Sequence, residues 1–503
     1  MRIIAPALLL VVLTMSFNVF RKDIASKHVS VSPNGSLKYH PDTKGNVLPD
    51  FSRVGYFHGD KTIPDVPVVK TVEPSGKGND EERIENAIRE VAKLSPDQNG
   101  IRGTVLLKKG IYKIEESIEI TTGGIVLRGE GNNENETRLI STATKKVTLI
   151  NVMGSGTIKE VPGSRVKVTD EYVPVGATSF HVSATAGLKA GDKVILYRPG
   201  TQKWITDLQM DQIEERGGTK QWKPAEYDFQ FERQVTMIKD NVVYIDNPVV
   251  IALEAQYGGA ELFKYTFAER LSNVGIENLY LESAFQSDTA ENHGWDAISF
   301  DKIENGWITN VTSRYFGYSC VNLGNWAKNI SVLNSKCFDA KSVITGSRRY
   351  SFNNDGQQNL FMKCQATEGR HDYVTGAKVC GPNAFVNCTA KNTHADIGPH
   401  HRWAMGTLYD NIVTDGEINI QDRGNYGSGH GWSGITQVLW NCTAKRAAVQ
   451  NPWVGGKNYC IGLKGGKYPG RLKDRPDGEW EAQDQTVEPK SLYLAQLNAR
   501  KKS

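Results

Sequence analysis

The segment Phe385-Val-Asn-Cys388 shows a pattern that the chain repeats: a short apolar strand that ends in an Asn or Lys step. Aligned on that Asn or Lys, six such segments follow one another at intervals of 32, 24, 29, 24 and 54 residues. A repeat of this length with one strand in each unit is typical of a solenoid, most simply a parallel β-helix. The six segments are residues 275–281, 307–311, 332–336, 361–364, 385–388 and 439–442.

Length and composition agree with this interpretation. The chain has 503 residues, 49 of them Gly, and a formal net charge of +4. Length alone would suggest about three domains, but a solenoid grows by adding rungs, so we expect one elongated domain with insertions. The small positive charge is compatible with an acidic polymer as partner, and equally with ordinary solubility. We find no phosphate loop, dinucleotide fingerprint or Gly-x-Ser-x-Gly elbow.

The seven cysteines all lie in the second half of the chain. Cys364, Cys388 and Cys442 share one position of the repeat, so they would lie above one another inside the coil at about 4.8 Å. Free, buried thiols that act as small apolar residues are the preferred interpretation. A disulfide between Cys320 and Cys337 is an alternative for an exported protein.

The first residues have the character of an export signal. Arg2 precedes an apolar run that begins at residue 3, and this run is short and interrupted for a membrane span. We therefore expect a signal peptide or an N-terminal anchor over residues 1–26 and no other membrane span. The protein would be secreted, periplasmic or at the cell surface, as a monomer, and an exported chain is not expected to bind nucleic acid.

Beyond the leader the sequence divides into five parts. Asn79-Asp-Glu-Glu82 resembles a capping box and predicts a helix that covers the open end of the first rung. Residues 180–182, 192–197, 234–238 and 242–246 alternate as antiparallel strands do, which indicates an inserted small β subdomain. The predicted parts are an extended arm (27–78), the β-helix start with its capping helix (79–162), the insertion (163–268), the main β-helix with a catalytic groove (269–460) and a C-terminal cap or tail (461–503). Apolar residues predicted on one face of the helix are Ile84, Ala87, Ile88, Val91 and Leu94.

Taken together, these features resemble the pectate-lyase-like superfamily of right-handed parallel β-helix proteins. The resemblance rests on the acidic cap, helix and Gly-x-Tyr strand over residues 79–112, on the rungs, and on Asn-rich corners that look like an asparagine ladder. In such a ladder, stacked side-chain amides satisfy one another and the turn backbone. The resemblance implies an all-β fold, but the superfamily includes lyases, hydrolases, epimerases and non-catalytic tailspikes, so fold alone does not fix function.

Candidate functional residues concentrate in three segments, 369–376, 393–403 and 421–432, each about one rung after the previous one. Five of the ten histidines lie there together with Arg and aromatic residues, so the segments could form one patch on one face of the coil. For catalysis we select His371, His401, Arg402, Tyr373, Arg370, His400 and Tyr409, and for substrate binding His394, Arg423, His430, Trp403, Trp432 and Arg349.

These residue types suit elimination from a uronate. Removal of the proton beside a carboxylate requires that the carboxylate charge be neutralised, and a neutral His or Tyr can take that proton while another protonates the leaving oxygen. We assign His401 or His371 as base, Arg402 and Arg370 as carboxylate clamps, and Tyr373 or Tyr409 as acid.

No cofactor is expected, with Ca²⁺ as an alternative that would neutralise the carboxylate. The available acidic residues form no compact cluster in the sequence of the kind that hard cations need. A transition-metal site that uses His394, His400 and His401 is a further alternative. The acidic residues considered for calcium are Asp355, Glu368, Asp372 and Asp396.

The sequence thus predicts a polysaccharide lyase that cleaves a uronic-acid-containing, sulfated or unsulfated polymer by β-elimination. One alternative is a β-helix hydrolase of the polygalacturonase type. Gly429-His-Gly431 and Asp422 match part of that pattern, but Asn353-Asn-Asp355 departs from it and no Asp-Asp pair is found. The other alternative is a non-catalytic glycan-binding protein. Tryptophans expected to be exposed as sugar platforms in any of these cases are Trp295, Trp326, Trp403, Trp432 and Trp453.

Overall fold

The computed structural model describes residues 24–502. The predicted leader therefore lies almost wholly outside the described residues. Most strands belong to one parallel sheet of 29 strands, coiled as a right-handed β-helix with a capping helix and an inserted β subdomain. The predicted fold class is confirmed. Across residues 24–502, no helix is long and apolar enough to cross a bilayer.

Three columns of parallel strands form the coil, and apolar side chains from all three fill its interior. The first column contains Val68–Val72, Gly103–Leu107, Ile125–Gly129, Gly275–Ser283, Trp307–Arg314, Ser331–Leu333, Leu360–Met362, Cys380–Val386, Ala404–Asp410, Val438–Trp440, Tyr459–Ile461 and Glu479–Glu481. The second contains Gly110–Ile114, Thr137–Ser141, Lys336–Phe338, Gln365–Thr367, Thr389–Lys391, Val413–Thr414 and Lys464–Lys467. The third contains Ile118–Ile120, Val147–Met153, Gly294–Asp301, Ser319–Leu323, Phe352–Asn354, Tyr373–Thr375, Asp396–Pro399, Glu417–Ile420 and Thr443–Val449.

The repeated Asn or Lys forms the corner between the first and second columns. Each of these residues has a positive φ of 50 to 58°, a left-handed conformation that Asn adopts more readily than most residues. The ladder contact is direct where Asn310 Nδ2 donates to Asn278 Oδ1 at 3.2 Å. The positive φ turns the chain at the same point in each rung, which keeps successive rungs in register, and in Gly275–Ser283 and Trp307–Arg314 the strand continues through this turn. The corner residues are Asn278, Asn310, Asn334, Lys363, Asn387, Asn411 and Asn441.

Helix α1 (Glu81–Ala92) covers the first rung with Ile84, Ala87, Ile88 and Val91. Leu94 was predicted on the same face, but it lies beyond the helix end and is 43% exposed. The predicted capping box forms only in part: Asn79 Oδ1 accepts from Glu81 N at 3.0 Å, whereas the carboxylate of the N-cap residue Asp80 accepts from Ser75 N at 2.8 Å.

The insertion is an antiparallel β subdomain with its own apolar core. It also carries a short helix, α2 (Gln202–Asp207), on which Trp204 is fully buried. Its strands are Lys159–Glu160, Val166–Lys167, Tyr172–Val173, Ser179–His181, Lys193–Arg198, Phe229–Lys239, Val242–Ile245, Leu253–Glu254 and Glu261–Thr266.

The two ends of the described chain pack together on the outside of the coil. Ile24–Ala25 pairs in parallel with Val487–Glu488, and the arm continues as a hairpin of Val29–Val31 and Leu37–Tyr39. On the C-terminal helix α3 (Leu492–Lys502), the Gln496 side chain accepts from Phe51 N at 2.9 Å. The parallel coil itself extends to Glu479–Glu481, within the segment predicted as tail.

All seven cysteines are free thiols, as the preferred interpretation of the sequence predicted. Six of them are buried, and Cys380 is half-buried. Cys364, Cys388 and Cys442 lie in the interior of the coil. Burial raises the pKa of the Cys442 thiol to about 12, so this group behaves as a small apolar residue.

Candidate functional site

Four of the five histidines from the three selected segments form one cluster. His371 precedes the strand Tyr373–Thr375, His400 and His401 follow Asp396–Pro399, and His430 lies in the loop after Glu417–Ile420. These strands are successive members of the third column. The His400 ring centroid lies 4.6 Å from that of His371, 5.0 Å from His401 and 5.1 Å from His430.

Tyr350 completes the cluster and is not among the site residues predicted from the sequence. Its hydroxyl lies 3.0 Å from His400 Nε2, and its ring contacts the ring of His371 at 5.0 Å. Tyr350 and His400 are 7% and 9% exposed, so their hydrogen bond is largely shielded from water, while a small part of each residue lies at the surface. A hydroxyl and an imidazole at this distance can exchange a proton directly.

Asp396 anchors the cluster from below. Its backbone carbonyl accepts a hydrogen bond from His371 Nδ1 at 2.6 Å, which places the proton of that ring on Nδ1. Its carboxylate forms an ion pair with Arg423. Burial acts to raise the pKa of Asp396, but the charges of Arg423 and His371 outweigh burial and hold the pKa below its usual value. The carboxylate is therefore ionised.

The imidazoles are held in the neutral form. Burial, reinforced by nearby cations, lowers the pKa of His371 and of His430 to about 4 and that of His401 to about 3, even though the charge of Asp396 acts to raise the pKa of His371. The pKa of His400 falls furthest, because its burial is reinforced by three other histidines and by Arg423. Neutral imidazoles can accept protons, and the surrounding positive potential favours an anion.

Arg370 and Arg402 lie beside the cluster, as the assignment of carboxylate clamps requires. Their positive charges contribute to the lowered pKa of His430. Arg402 donates to Ser428 O at 3.0 Å, and Nη1 of Arg370 is buried with no hydrogen-bond partner in the described part of the chain. The charge of Arg370 also acts on Tyr350, so its guanidinium lies at the cluster.

Two of the predicted catalytic residues do not belong to this site. Tyr373 and Tyr409 are fully buried inside the coil, each stacked on a phenylalanine. The Tyr373 hydroxyl donates to Cys364 O at 3.0 Å and to Thr389 O at 2.6 Å. Their assignment as catalytic acid is wrong, because neither ring reaches the outer face of the coil.

Four predicted binding residues also serve other purposes. Trp403 and Trp432 are fully buried in the core of the insertion, where Trp403 lies 5.1 Å from Trp204, so they cannot be sugar platforms. Arg349 donates to Ser342 O at 2.6 Å and lines a different cavity, beside Asp288. His394 is exposed and pairs with Glu368 at 2.8 Å, outside the cluster. It lines a neighbouring cavity that also includes Asp396 and Arg423.

A row of aromatic rings leads away from the histidines along the coil. Tyr350 lies 5.1 Å from Tyr318, and Tyr318 stacks on Trp295 at 6.2 Å. Lys146 lies 3.6 Å above the Trp295 ring. The rings come from successive rungs, so they follow the axis of the coil in the direction that a polymer in a groove would take. Of the predicted sugar platforms, Trp295 belongs to this row.

The insertion forms a wall beside the histidine cluster. Lys220 N donates to Ser428 O at 2.9 Å, and Glu214 accepts from Asn425 at 2.9 Å, so the long segment before Phe229–Lys239 contacts the loop that carries His430. The contact needs glycine at residue 431, where φ is +59° and an added Cβ would lie 2.4 Å from Met210 Sδ. The insertion thus fixes the position of His430.

The described residues contain no group of three or more His, Cys, Asp or Glu arranged to hold a metal ion. The acidic residues considered for calcium are dispersed: Asp396 pairs with Arg423, Glu368 pairs with His394, and Asp372 accepts from Ser351 at 2.7 Å. Asp355 accepts from Asn353 at 3.1 Å. These residues therefore do not fit a calcium site.

Two carboxyl groups form a second polar group near Tyr318. Burial raises the pKa of Asp296 to about 7, and that of Asp355 to about 6. Asn322 and Asn353 lie between them. Asn353 donates to Asn322 at 2.9 Å and to Asp355 at 3.1 Å, and Asn322 lies beside Asp296, where it acts against the effect of burial on the pKa. Asp355 is among the residues considered for calcium, whereas Asp296 is in none of the predicted sets, because only its burial distinguishes it from other aspartates.

No family model and no curated protein match the sequence. Among solved structures, the tailspike protein gp49 of Pseudomonas phage LKA1 is similar at 14% identity, over 82% of this chain and 72% of that one, with a TM-score of 0.40. Pectate lyase Pel9A is similar at 12% identity, over 84% and 82%, with a TM-score of 0.37. The tailspike of E. coli bacteriophage HK620, solved with a pentasaccharide, matches at 9% identity and a TM-score of 0.41, and the chain spans 56% of it. The function therefore has to be argued from the residues of the site.

Proposed function

We propose that this protein is a polysaccharide lyase that cleaves a uronate-containing polymer by β-elimination in the groove at the histidine cluster. The observation that carries the proposal is the hydrogen bond between Tyr350 and His400 inside a group of four neutral imidazoles and nearby arginines. Such a group attracts a carboxylate and supplies both an acceptor and a donor of protons.

The residues have separate roles in this proposal. Arg370 and Arg402, with His401 and His430, bind the uronate carboxylate and stabilise the charge that develops when the neighbouring proton leaves. His371 positions the cluster, because Asp396 fixes its ring and its ring packs against His400. The bound carboxylate also counteracts the positive potential that lowers the pKa of His400, so substrate binding makes His400 a stronger base.

Proton transfer then balances within one pair of residues. His400 Nε2 takes the proton from the carbon next to the carboxylate, the bond to the glycosidic oxygen breaks, and a carbon–carbon double bond forms. The departing oxygen takes the Tyr350 proton. His400 next returns its proton to Tyr350 across the 3.0 Å hydrogen bond, which restores the starting state.

Ultraviolet absorbance tests the proposal. Purified protein is mixed with pectate, alginate, glucuronan, ulvan and sulfated glycans, with and without chelator, and reducing ends are measured in parallel. Absorbance from an unsaturated uronate supports elimination and identifies the polymer. Reducing ends without absorbance contradict it.

Hydrolysis is the second candidate function, and the pair Asp296 and Asp355 favours it. A carboxyl group with a pKa near 7 is protonated near neutral pH and can act as a general acid, while its partner acts as base or nucleophile. In that case Asp296→Asn would abolish the formation of reducing ends, and Tyr350→Phe would leave it unchanged.

A further inference from the structure

A cavity of about 550 Å³ opens beside the histidine cluster. It shares Asp396 and Arg423 with the site described above and continues along the coil past Glu417 and Asn419. Its far side is formed by residues 468–471, which follow the strand Lys464–Lys467. The proposed mechanism uses none of the residues on this far side.

Each carboxylate in the cavity already has a partner. Asp396 pairs with Arg423, and Glu417 pairs with Arg446 at 2.6 Å. Asp415 accepts from the backbone N–H of Asn392 at 2.6 Å and of Thr393 at 3.2 Å. Asp396 and Glu417 are thus neutralised by ion pairs, and Asp415 is stabilised by backbone N–H groups without a cation. The three carboxylates and four Arg and Lys side chains that line the cavity leave it with a net charge of +1.

Two cations in the cavity have no such compensation. Lys445 and Arg471 form no ion pair with a carboxylate anywhere in residues 24–502. Lys445 is exposed and Arg471 is half-buried. A cavity that holds spare positive charge and satisfied carboxylates has a net preference for an anion.

The position of Arg471 is fixed by its neighbours. Its guanidinium lies 3.7 Å from the centroid of the Tyr426 ring, its Nη2 donates to Asn425 Oδ1 at 2.6 Å, and its backbone N–H donates to Gln421 at 2.7 Å. The Nε atoms of Arg471 and Arg423 are both buried and lack a hydrogen-bond partner within the described chain. Unpartnered buried N–H donors are costly unless a ligand engages them.

We infer that this cavity is a subsite for a second anionic group of the polymer, a carboxylate or a sulfate ester on a sugar next to the one at the histidine cluster. Arg471, Lys445 and Arg423 Nε bind the anion, and Tyr426 holds Arg471 in place. The inference extends the proposed function, because it requires a polymer that carries acidic groups on neighbouring sugars.

Binding without turnover tests the subsite. Binding of polygalacturonate, dextran sulfate and neutral dextran is measured by biolayer interferometry for the full chain, Arg471→Gln, Lys445→Gln and the double variant. We expect each single change to weaken binding to an anionic polymer about tenfold, the effect of one lost charged hydrogen bond. If the variants bind only polygalacturonate more weakly than the native chain does, the subsite takes a carboxylate. If they bind only dextran sulfate more weakly, the subsite takes a sulfate ester.

Lys473→Gln is the matched control, because Lys473 is exposed in the same segment, carries the same charge and does not line the cavity. Inorganic sulfate gives an independent readout: the rise in Tm with sulfate should be larger in the native chain and in Lys473→Gln than in the double variant. Equal polymer binding and equal sulfate response in the double variant and the control would overturn the inference. Because neither readout depends on cleavage, the subsite can hold even if the elimination proposal fails.

Discussion

Replacement of Tyr350 by Phe separates the proposed chemistry from the fold. The change removes only the hydroxyl, which lies 3.0 Å from His400 Nε2, and it leaves the ring contacts with Tyr318 and His371 in place. The variant then lacks the one hydroxyl that serves both as the proposed acid and as the group that takes the proton back from His400. General acid catalysis typically contributes about 10²–10⁴-fold, so we expect kcat for elimination to fall by that factor.

The cost to stability should be small by comparison. One hydrogen bond contributes about 0.5–1.5 kcal/mol, whereas a loss of 10²–10⁴ in kcat corresponds to about 2.7–5.5 kcal/mol of transition-state stabilisation. The assay is the initial rate of ultraviolet absorbance at saturating substrate. Urea unfolding on the same preparation measures the stability of each variant.

Tyr373→Phe is the matched control, because it makes the same chemical change one rung away. Its single hydroxyl proton is shared between the backbone carbonyls of Cys364 and Thr389, so its loss should destabilise the fold by about 1–3 kcal/mol. It should leave kcat unchanged. If Tyr373→Phe lowers kcat as much as Tyr350→Phe, or if Tyr350→Phe retains full kcat, the assignment of the acid is refuted.

Three further predictions concern charge. Asp396→Asn leaves Arg423 buried without its partner and should destabilise the fold by about 3–5 kcal/mol at pH 7. The pKa of Asp396 is lower in the folded than in the unfolded chain. In urea unfolding, the difference in stability between the native chain and Asp396→Asn should therefore be complete above the unfolded pKa and disappear as pH falls through the folded pKa. His401 and His430 have folded pKa values of about 3 and about 4, below the unfolded value, so protons bind the unfolded chain first and stability should decrease as pH falls from about 6.5 to 4. Urea unfolding across that range should show a smaller decrease for His401→Gln and His430→Gln, and an unchanged slope contradicts the burial of these rings. When an acidic oligosaccharide binds Tyr350→Phe, the complex should take up protons from the buffer, because the bound carboxylate raises the pKa of the histidines. Calorimetry in two buffers of different ionisation enthalpy measures this uptake, and no uptake would mean that the carboxylate binds elsewhere.

The repeat predicted the coil because the same few residues recur at each corner and can be aligned without a structure. The same alignment also indicates that the Tyr409 side chain points into the coil. Tyr409 precedes Asn411 by the same step that separates Phe385 from Asn387 and Leu439 from Asn441, and these positions point into the coil. Tyr409 was selected for its chemistry, although its place in the repeat indicated an interior ring.

Other parts of the site had no comparable signal. Tyr350 lies outside the three histidine-rich segments, and it reaches His400 only because the fold brings residues 50 apart into contact. Trp403 and Trp432 are buried by the insertion, where Trp204 packs against Trp403 and Met210 Sδ accepts from Trp432 N at 3.4 Å. The insertion does not share the repeat of the coil. Contacts between regions of unrelated periodicity cannot be found by aligning repeats.

The spacing of the coil explains why histidines can form an active site here. Neighbouring parallel strands lie about 4.8 Å apart, and the contacts of the His400 ring with His371 and His430 measure 4.6 and 5.1 Å. Imidazoles on successive rungs therefore meet at a distance where protonation of one opposes protonation of the next. Burial in the coil, reinforced by these contacts and by nearby arginines, keeps the cluster neutral, and a bound anion relieves the opposition between the charges. A site of this kind gains its strongest base when its acidic substrate arrives, which couples recognition of the carboxylate to removal of the neighbouring proton.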